Sequence, residues 1–189
     1  MSRKAVLNSS QVALLRGVNV GGGKKVPMAR LREIAADIGL QDAQTLLNSG
    51  NLVYRTTMTP DTVEQRLQAG IRESLGVDCR VFVRTPLQLQ RVLEANPMPE
   101  EARSHPSRFV VTVWSAAVHA SDLRCFADAP TQRERFVVGA EAVYMWFPDG
   151  LSASTVYDKA ARPLGDRITA RNWNTMQKLL NMATELDAD

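Results

Sequence analysis

The chain has 189 residues and is 44% apolar, 23% charged and 6% aromatic, with two cysteines and a formal net charge of +3. A composition this close to the globular average excludes a collagen-like repeat, a disordered chain and a disulfide scaffold. At roughly 150 residues per domain the length admits one large domain or two small ones. No apolar run approaches the roughly 18 to 20 residues that span a bilayer, so a soluble protein with no membrane partner is expected. Asn8-Ser9-Ser10-Gln11 interrupts the short apolar stretch behind Arg3 and Lys4, so no export signal is read. Cys79 and Cys125 sit in apolar surroundings and read as buried free thiols, which fits a cytoplasmic setting.

Residues 12–18 read as a largely buried strand broken by Gly21-Gly22-Gly23. From Pro27 the apolar positions Met28, Leu31, Ile34, Ala35 and Ile38 recur at helical spacing, with Pro27 suited to the first turn and Gly39 to the stop. Thr45-Leu46-Leu47 and Leu52-Val53-Tyr54 flank Asn48-Ser49-Gly50-Asn51, which predicts a hairpin. Thr59-Pro60-Asp61 opens a second helix with Val63, Leu67, Ile71 and Leu75 on one stripe; Gly76 ends it before a strand over residues 79–84. The order β-α-β-β-α-β is the split βαβ of a ferredoxin-like plait.

Residues 87–95 read as a connecting helix and residues 96–106, with prolines at Pro97, Pro99 and Pro106, as a linker. The pattern then repeats: strands over 109–114, 135–138 and 142–147, short helices over 122–129 and 152–161, and a last short strand over 167–169. A closing helix from Asn172 places Trp173, Met176, Leu180 and Ala183 on one face. The expected fold is α+β with two ferredoxin-like (alpha-beta plait) subdomains: a first plait over 1–85, a connecting helix and Pro-rich linker over 86–106, and a second plait with the C-terminal helix over 107–189. A plait covers one sheet face with helices, so two in one chain suggest mutual covering with a cleft between them.

Charge is unevenly placed. Arg3, Lys4, Arg16, Lys24, Lys25, Arg30 and Arg32 all precede the first carboxylate, Glu33. The segment Arg16-Gly17-Val18-Asn19-Val20-Gly21-Gly22-Gly23-Lys24-Lys25 joins a strand to a helix, its glycines would let backbone N–H groups approach an anion, and its cations lie near a helix N-terminus. It is not a Walker A loop: with Gly23-Lys24 as the Gly-Lys pair, Val18 holds the first glycine position and Lys25 the Ser/Thr position. The same residues suit a flexible basic turn, and both readings stand. Asn48-Ser49-Gly50-Asn51 could offer amides and a hydroxyl to a ligand, although a hairpin turn accounts for them as well.

Arg171-Asn172-Trp173-Asn174-Thr175 puts Asn172 at an N-cap and Trp173 in packing, while Arg171 brings a bidentate donor to a helix N-terminus. There is no GxSxG elbow, His105 and His119 are the two imidazoles, and the cysteines and histidines lack paired ligand spacing. No catalytic residue is therefore assigned, and no metal or cofactor is expected. Tyr54, Trp114, Tyr144, Trp146 and Phe147 lie on strands without an RNP1-like run and read as core.

Three segments, Ala13-Leu14-Leu15-Arg16-Gly17-Val18-Asn19-Val20-Gly21-Gly22, Asn48-Ser49-Gly50-Asn51-Leu52-Val53 and Thr169-Ala170-Arg171-Asn172-Trp173-Asn174-Thr175, together resemble the DUF1697 family. The resemblance is strongest over residues 12–55 and 165–180. It implies two alpha-beta plait subdomains and carries no assigned activity, cofactor or catalytic residue. Where relatives place a lysine after a late strand, this chain has Ser154-Thr155-Val156, so no role passes to that position.

The leading expectation is an anionic small ligand, a nucleotide or another phosphate-containing molecule, bound by Arg16, Asn19, Lys24, Lys25, Asn48, Asn51 and Arg171. Weak sequence-independent nucleic-acid binding through the basic N-terminal region is the second reading, with affinity that falls steeply with salt. A non-catalytic scaffold subunit is the third. The oligomeric state is not legible.

Overall fold

The computed structural model describes residues 8–188; Arg3 and Lys4 lie outside the described residues. The chain divides into two compact units, residues up to Gln88 together with those from Leu179, and Leu89–Lys178. The C-terminal helix therefore contributes to both.

In the first unit β1 (Ser9–Leu15) is followed by α1 (Met28–Asp37), β2 (Gln41–Leu46), β3 (Asn51–Thr56), α2 (Pro60–Leu75) and β4 (Val81–Arg84). The sheet order is β2-β3-β1-β4 and every pairing is antiparallel. This is the ferredoxin-like plait that the alternation of strands and helices predicts. β1 begins and ends three residues before the predicted strand. It stops at Leu15 because Gly17 (φ 64) and Asn19 (φ 57) leave the extended region. Val18 stays buried although it has left the ladder, so the apolar run marks the core and not the strand.

α1 starts one residue later than expected: Pro27 is its N-cap, extended at φ −62 and ψ 132. Its end is closed by Gly39 N–H to Ala36 O (2.9 Å) and Leu40 N–H to Ala35 O (2.9 Å), the Schellman pair. α2 begins at a Thr59 cap, whose Oγ1 accepts from Thr62 N–H at 3.4 Å. Leu31, Ile34, Ala35, Val63, Leu67 and Ile71 from the two helices join Ala13, Leu15, Leu52 and Tyr54 in one core. Tyr54 is fully buried, and its phenol donates to Gln11 Oε1 at 3.2 Å. Burial, with Glu64 adding negative charge, holds that phenol well above its ordinary pKa, so it stays a neutral donor.

β4 is an edge strand, and α2 covers its free donors. Gln68 Oε1 accepts from Val81 N–H (3.0 Å) and Glu64 Oε1 from Val83 N–H (2.8 Å). Side chains one helical turn apart thus occupy alternate edge amides that would otherwise template another strand.

The second unit repeats the order. α3 (Pro86–Glu94) and α4 (Pro99–Ser104) lead to β5 (Phe109–Trp114), α5 (Arg124–Ala127), β6 (Arg135–Val138), β7 (Val143–Trp146), α6 (Val156–Ala161), β8 (Ile168–Asn172) and α7 (Trp173–Ala188). The sheet order β6-β7-β5-β8 is the same permutation, again fully antiparallel. Here the crossover helices are shorter: a 3-10 turn at Leu151–Ala153 replaces the start of the helix expected over 152–161, α6 keeps its second half, and a further 3-10 segment at Arg162–Arg167 follows it. The stretch expected to be a plain linker also contains α4. Pro99 suits a first helical turn, and Met98 and Ala102 are buried.

Tyr144 donates to Val92 O at 2.7 Å, tying α3 to the sheet, and burial pushes its phenol up to about 12. α7 is capped by Asn172, whose Oδ1 accepts from Thr175 N–H at 2.9 Å, as the sequence predicts. Its buried stripe runs through Trp173, Met176, Leu179, Ala183 and Leu186, with Leu179 in the place expected of Leu180. Near its end, Ser10 donates through N–H and Oγ to the Asp187 carboxylate at 2.7 and 2.8 Å. Arg55 Nε donates to Leu186 O at 2.8 Å.

Gly50 has φ +72, and a Cβ there would lie 2.6 Å from Val18 Cγ2 and 2.7 Å from Leu15 Cβ. Gly76 has a similar φ of +65 but open space around it. Gly76→Ala should therefore cost about 1 kcal/mol, from backbone strain alone, and Gly50→Ala about 2 to 4 kcal/mol, because overpacking is added. At roughly 2 to 4 °C per kcal/mol, thermal melts of the two variants separate these effects.

Candidate functional site

Antiparallel pairing of β1 with β3 brings the end of β1 to the start of β3. Leu14 faces Asn51, and Leu15 N–H donates to Gly50 O at 2.8 Å. The glycine-rich segment after β1 and the turn between β2 and β3 are therefore neighbours in space.

Within that segment, residues 19–24 form a miniature hairpin. Asn19 N–H donates to Lys24 O (2.8 Å) and Gly23 N–H to Val20 O (3.4 Å). Gly21 (φ 62) and Gly22 (φ 77) occupy the two central positions of a type I′ turn. The glycines thus build a tight turn, and two amides of the expected anion cradle already serve it.

Asn19 fastens this hairpin to both of its neighbours. Its Nδ2 donates to Val26 O (2.8 Å) and Asn48 O (2.7 Å), and its Oδ1 accepts from Val26 N–H (2.9 Å). Asn51, fully buried, donates through Nδ2 to Leu46 O and Ser49 Oγ, each at 2.9 Å, and so holds the β2–β3 turn. In this turn Leu47 adopts φ 58 and is 60% exposed, an unusual state for a leucine.

A groove of about 450 Å³ opens where these loops meet, wholly within the first unit. Asn19, Gly22, Gly23 and Lys25 line one part, and Val26, Pro27 and Met28 with Asn48 line the rest. The first helical bond of α1 is Leu31 N–H to Pro27 O (3.0 Å), so the amides of residues 28–30 have no intrahelical acceptor. Among the described residues no side chain caps this end and no acidic residue lies in its first turn. The apolar wall of Val26, Pro27 and Met28 was not among the expected site residues. Its only trace in the sequence is its position directly ahead of the helix.

The remaining expected residues are placed as follows. Lys24 is exposed and close enough to Cys79 to oppose the effect of burial, which pushes that thiol up to about 11. Arg16 is half-buried, and its backbone N–H donates to Arg80 O at 2.9 Å. Arg171 belongs to the second unit, on β8, where its guanidinium donates to Thr169 Oγ1 (3.1 Å) and Ala170 O (2.8 Å). Burial lowers its pKa to about 10, Tyr157 acting in the opposite sense, so it remains a cation at neutral pH. Both cysteines are free; Cys79 is buried as expected, whereas Cys125 is half-buried and donates to Asp122 O at 3.1 Å.

Two four-stranded antiparallel plaits of the same strand order define an α+β protein of two ferredoxin-like subdomains. The chain belongs to the family described as Protein of unknown function (DUF1697), which matches residues 9–144. That span includes the hairpin 19–24 and the turn 47–50 and stops short of Arg171. Among solved structures, "The structure of conserved bacterial protein SP0830 from Streptococcus pneumoniae" is similar, with a TM-score of 0.74 and 20% identity over 94% of this chain and 99% of that one. This likeness is one of fold. No curated protein matches the chain.

Asn19 and Asn48 separate structure from surface. Asn19→Ala removes two hydrogen bonds within its own segment and one to the turn at 47–50 and should cost about 1 to 3 kcal/mol. Asn48→Ala leaves the backbone carbonyl in place and should change stability by less than about 0.5 kcal/mol. Paired denaturant titrations of the two variants measure the difference.

Proposed function

We propose that the first unit binds an anionic small ligand, a nucleotide or another phosphate-bearing molecule, in the groove between the hairpin 19–24 and the turn 47–50. The observation that carries this reading is the convergence of Lys25, Asn48 and the uncapped N-terminus of α1 on one groove. Helix N-terminal amides and a nearby ammonium both favour negative charge. Residues 16–27 and 47–50 include Arg16, Lys24 and Lys25 and no carboxylate, so the local field has one sign.

In this reading Lys25 and Asn48 touch the ligand, and Asn19 and Asn51 position the loops. Arg16 and Lys24 add charge, and the uncharged part of the ligand rests on Val26, Pro27 and Met28. A groove of about 450 Å³ suits a molecule the size of a sugar phosphate or mononucleotide. Among the described residues no helix is long and apolar enough to cross a membrane. The free thiols Cys79 and Cys125 support a reducing, cytoplasmic compartment.

Thermal shifts of the full chain with inorganic phosphate, sugar phosphates and nucleotides test the proposal. A ligand at a hundred times its Kd adds about 2.7 kcal/mol, a shift of roughly 5 to 10 °C. The shift should persist at moderate salt and disappear in Lys25→Glu. A shift produced by oligonucleotides only, and abolished by salt, would instead favour the nucleic-acid reading. No shift with any probe would leave the scaffold reading.

A further inference from the structure

A second groove lies wholly within Leu89–Lys178 and shares no residue with the basic loops. It encloses about 430 Å³, walled by Leu93 at the end of α3, by Pro99 and Pro106 on either side of α4, and by Trp173 at the start of α7. Phe109 meets the Trp173 ring edge-on, with centroids 5.5 Å apart and planes at 89°, so the indole is held in place. The helix inside the expected linker thus supplies one wall, and the tryptophan expected only to pack supplies another.

The polar part of the lining consists largely of carboxamides. Asn174 and Gln177 are three residues apart on α7, so they stand on one helix face. Both are exposed, and neither side chain has a hydrogen-bond partner among the described residues. Asn96 joins them from the α3–α4 connection, fixed by Met98 N–H donating to its Oδ1 at 2.9 Å.

The two charged residues of the groove already have partners. Glu94 accepts from Gln90 Nε2 at 2.8 Å, and Arg103 pairs with Glu100. Arg103 is already ion-paired and Glu94 keeps its negative charge, so an anionic ligand would find no uncommitted counter-charge in this lining. A carboxamide offers a donor and an acceptor side by side, the pattern that matches the edge of a nitrogen heterocycle. Leu93, Pro99, Pro106 and Trp173 offer apolar surface to the face of such a ring.

We propose that this groove binds a neutral nitrogen heterocycle bearing adjacent hydrogen-bond donor and acceptor groups, the nucleobase class, with its edge read by Asn174 and Gln177. This binding is independent of the phosphate groove. It is tested with uridine, adenosine and 1,3-dimethyluracil, whose donor is blocked. Trp173 fluorescence is followed in the full chain carrying Trp114→Phe and Trp146→Phe, which leaves one of the three tryptophans. Saturation-transfer NMR on the unsubstituted chain gives a second readout that does not depend on those substitutions.

Saturable binding of the nucleosides is expected. Asn174→Leu or Gln177→Leu should weaken it about tenfold, the loss of one hydrogen bond, without moving the thermal midpoint, and dimethyluracil should bind at least about tenfold more weakly than uridine. Absence of saturable binding by both readouts overturns the proposal, as does affinity indifferent to both substitutions. Binding that requires a phosphate and is lost in Lys25→Glu would assign the ligand to the first groove instead. Failure of the phosphate reading would leave the nucleoside result unchanged, so the two proposals stand or fall separately.

Discussion

The antiparallel pairing of β1 with β3 is the constraint on which the rest of the first unit depends. Because the strands run in opposite directions, the segment leaving β1 and the turn entering β3 emerge at the same end of the sheet. Leu15 N–H and Gly50 O seal that end, and Val18 and Leu15 press so closely on Gly50 that a side chain has no room there. Two loops separated by about thirty residues thus become one surface, as Asn19 and Asn48 show by their direct hydrogen bond across a separation of 29.

Asparagine does this work because its carboxamide can donate twice and accept at the same time. Asn19 uses both capacities, to Val26 and Asn48, and its backbone takes the left-handed conformation that asparagine tolerates. Polar residues in loops therefore divide here into those that shape the groove and those that face it. Asn51 belongs to the first group, Asn48 and Lys25 to the second, and Asn19 to both. The same division appears at the start of α7: Asn172 satisfies a helix amide, while Asn174, two residues on, faces solvent and a groove.

The two units apply one topology with different means. The first uses full-length crossover helices and shields its β4 edge with Glu64 and Gln68. The second uses short helices and 3-10 turns, and covers part of its sheet with α3 through the Tyr144 to Val92 bond. What differs between them is the length of the crossovers, and with it the place where grooves form. In the first unit the groove lies at the strand ends beside α1; in the second it lies among α3, α4 and α7.

The stop of α1, the start and stop of α2, a hairpin turn read at residues 48–51 and found at 47–50, the repeated strand order and the α7 cap were legible in the sequence, because each depends on residues close together in the chain. Thr59 and Asn172 carry their caps wherever the helices pack, and period-3.6 and period-2 patterns survive without knowledge of neighbours. Other features needed the tertiary structure. Val18 looked like strand because burial and strand share one apolar signal. The linker over residues 96–106 hid α4, since six residues give too short a period to read. The composition of Arg16 to Lys25 fitted both an anion cradle and a basic turn, and it gave no sign that Asn19 ties this segment to the turn at 47–50, which follows from the register of β1 against β3. Sequence by itself determined the elements and their order, which follow from local backbone preference and side-chain periodicity. Tertiary structure decided which loops meet and which polar groups are already satisfied, because a hydrogen bond between distant residues has no signature in either residue alone.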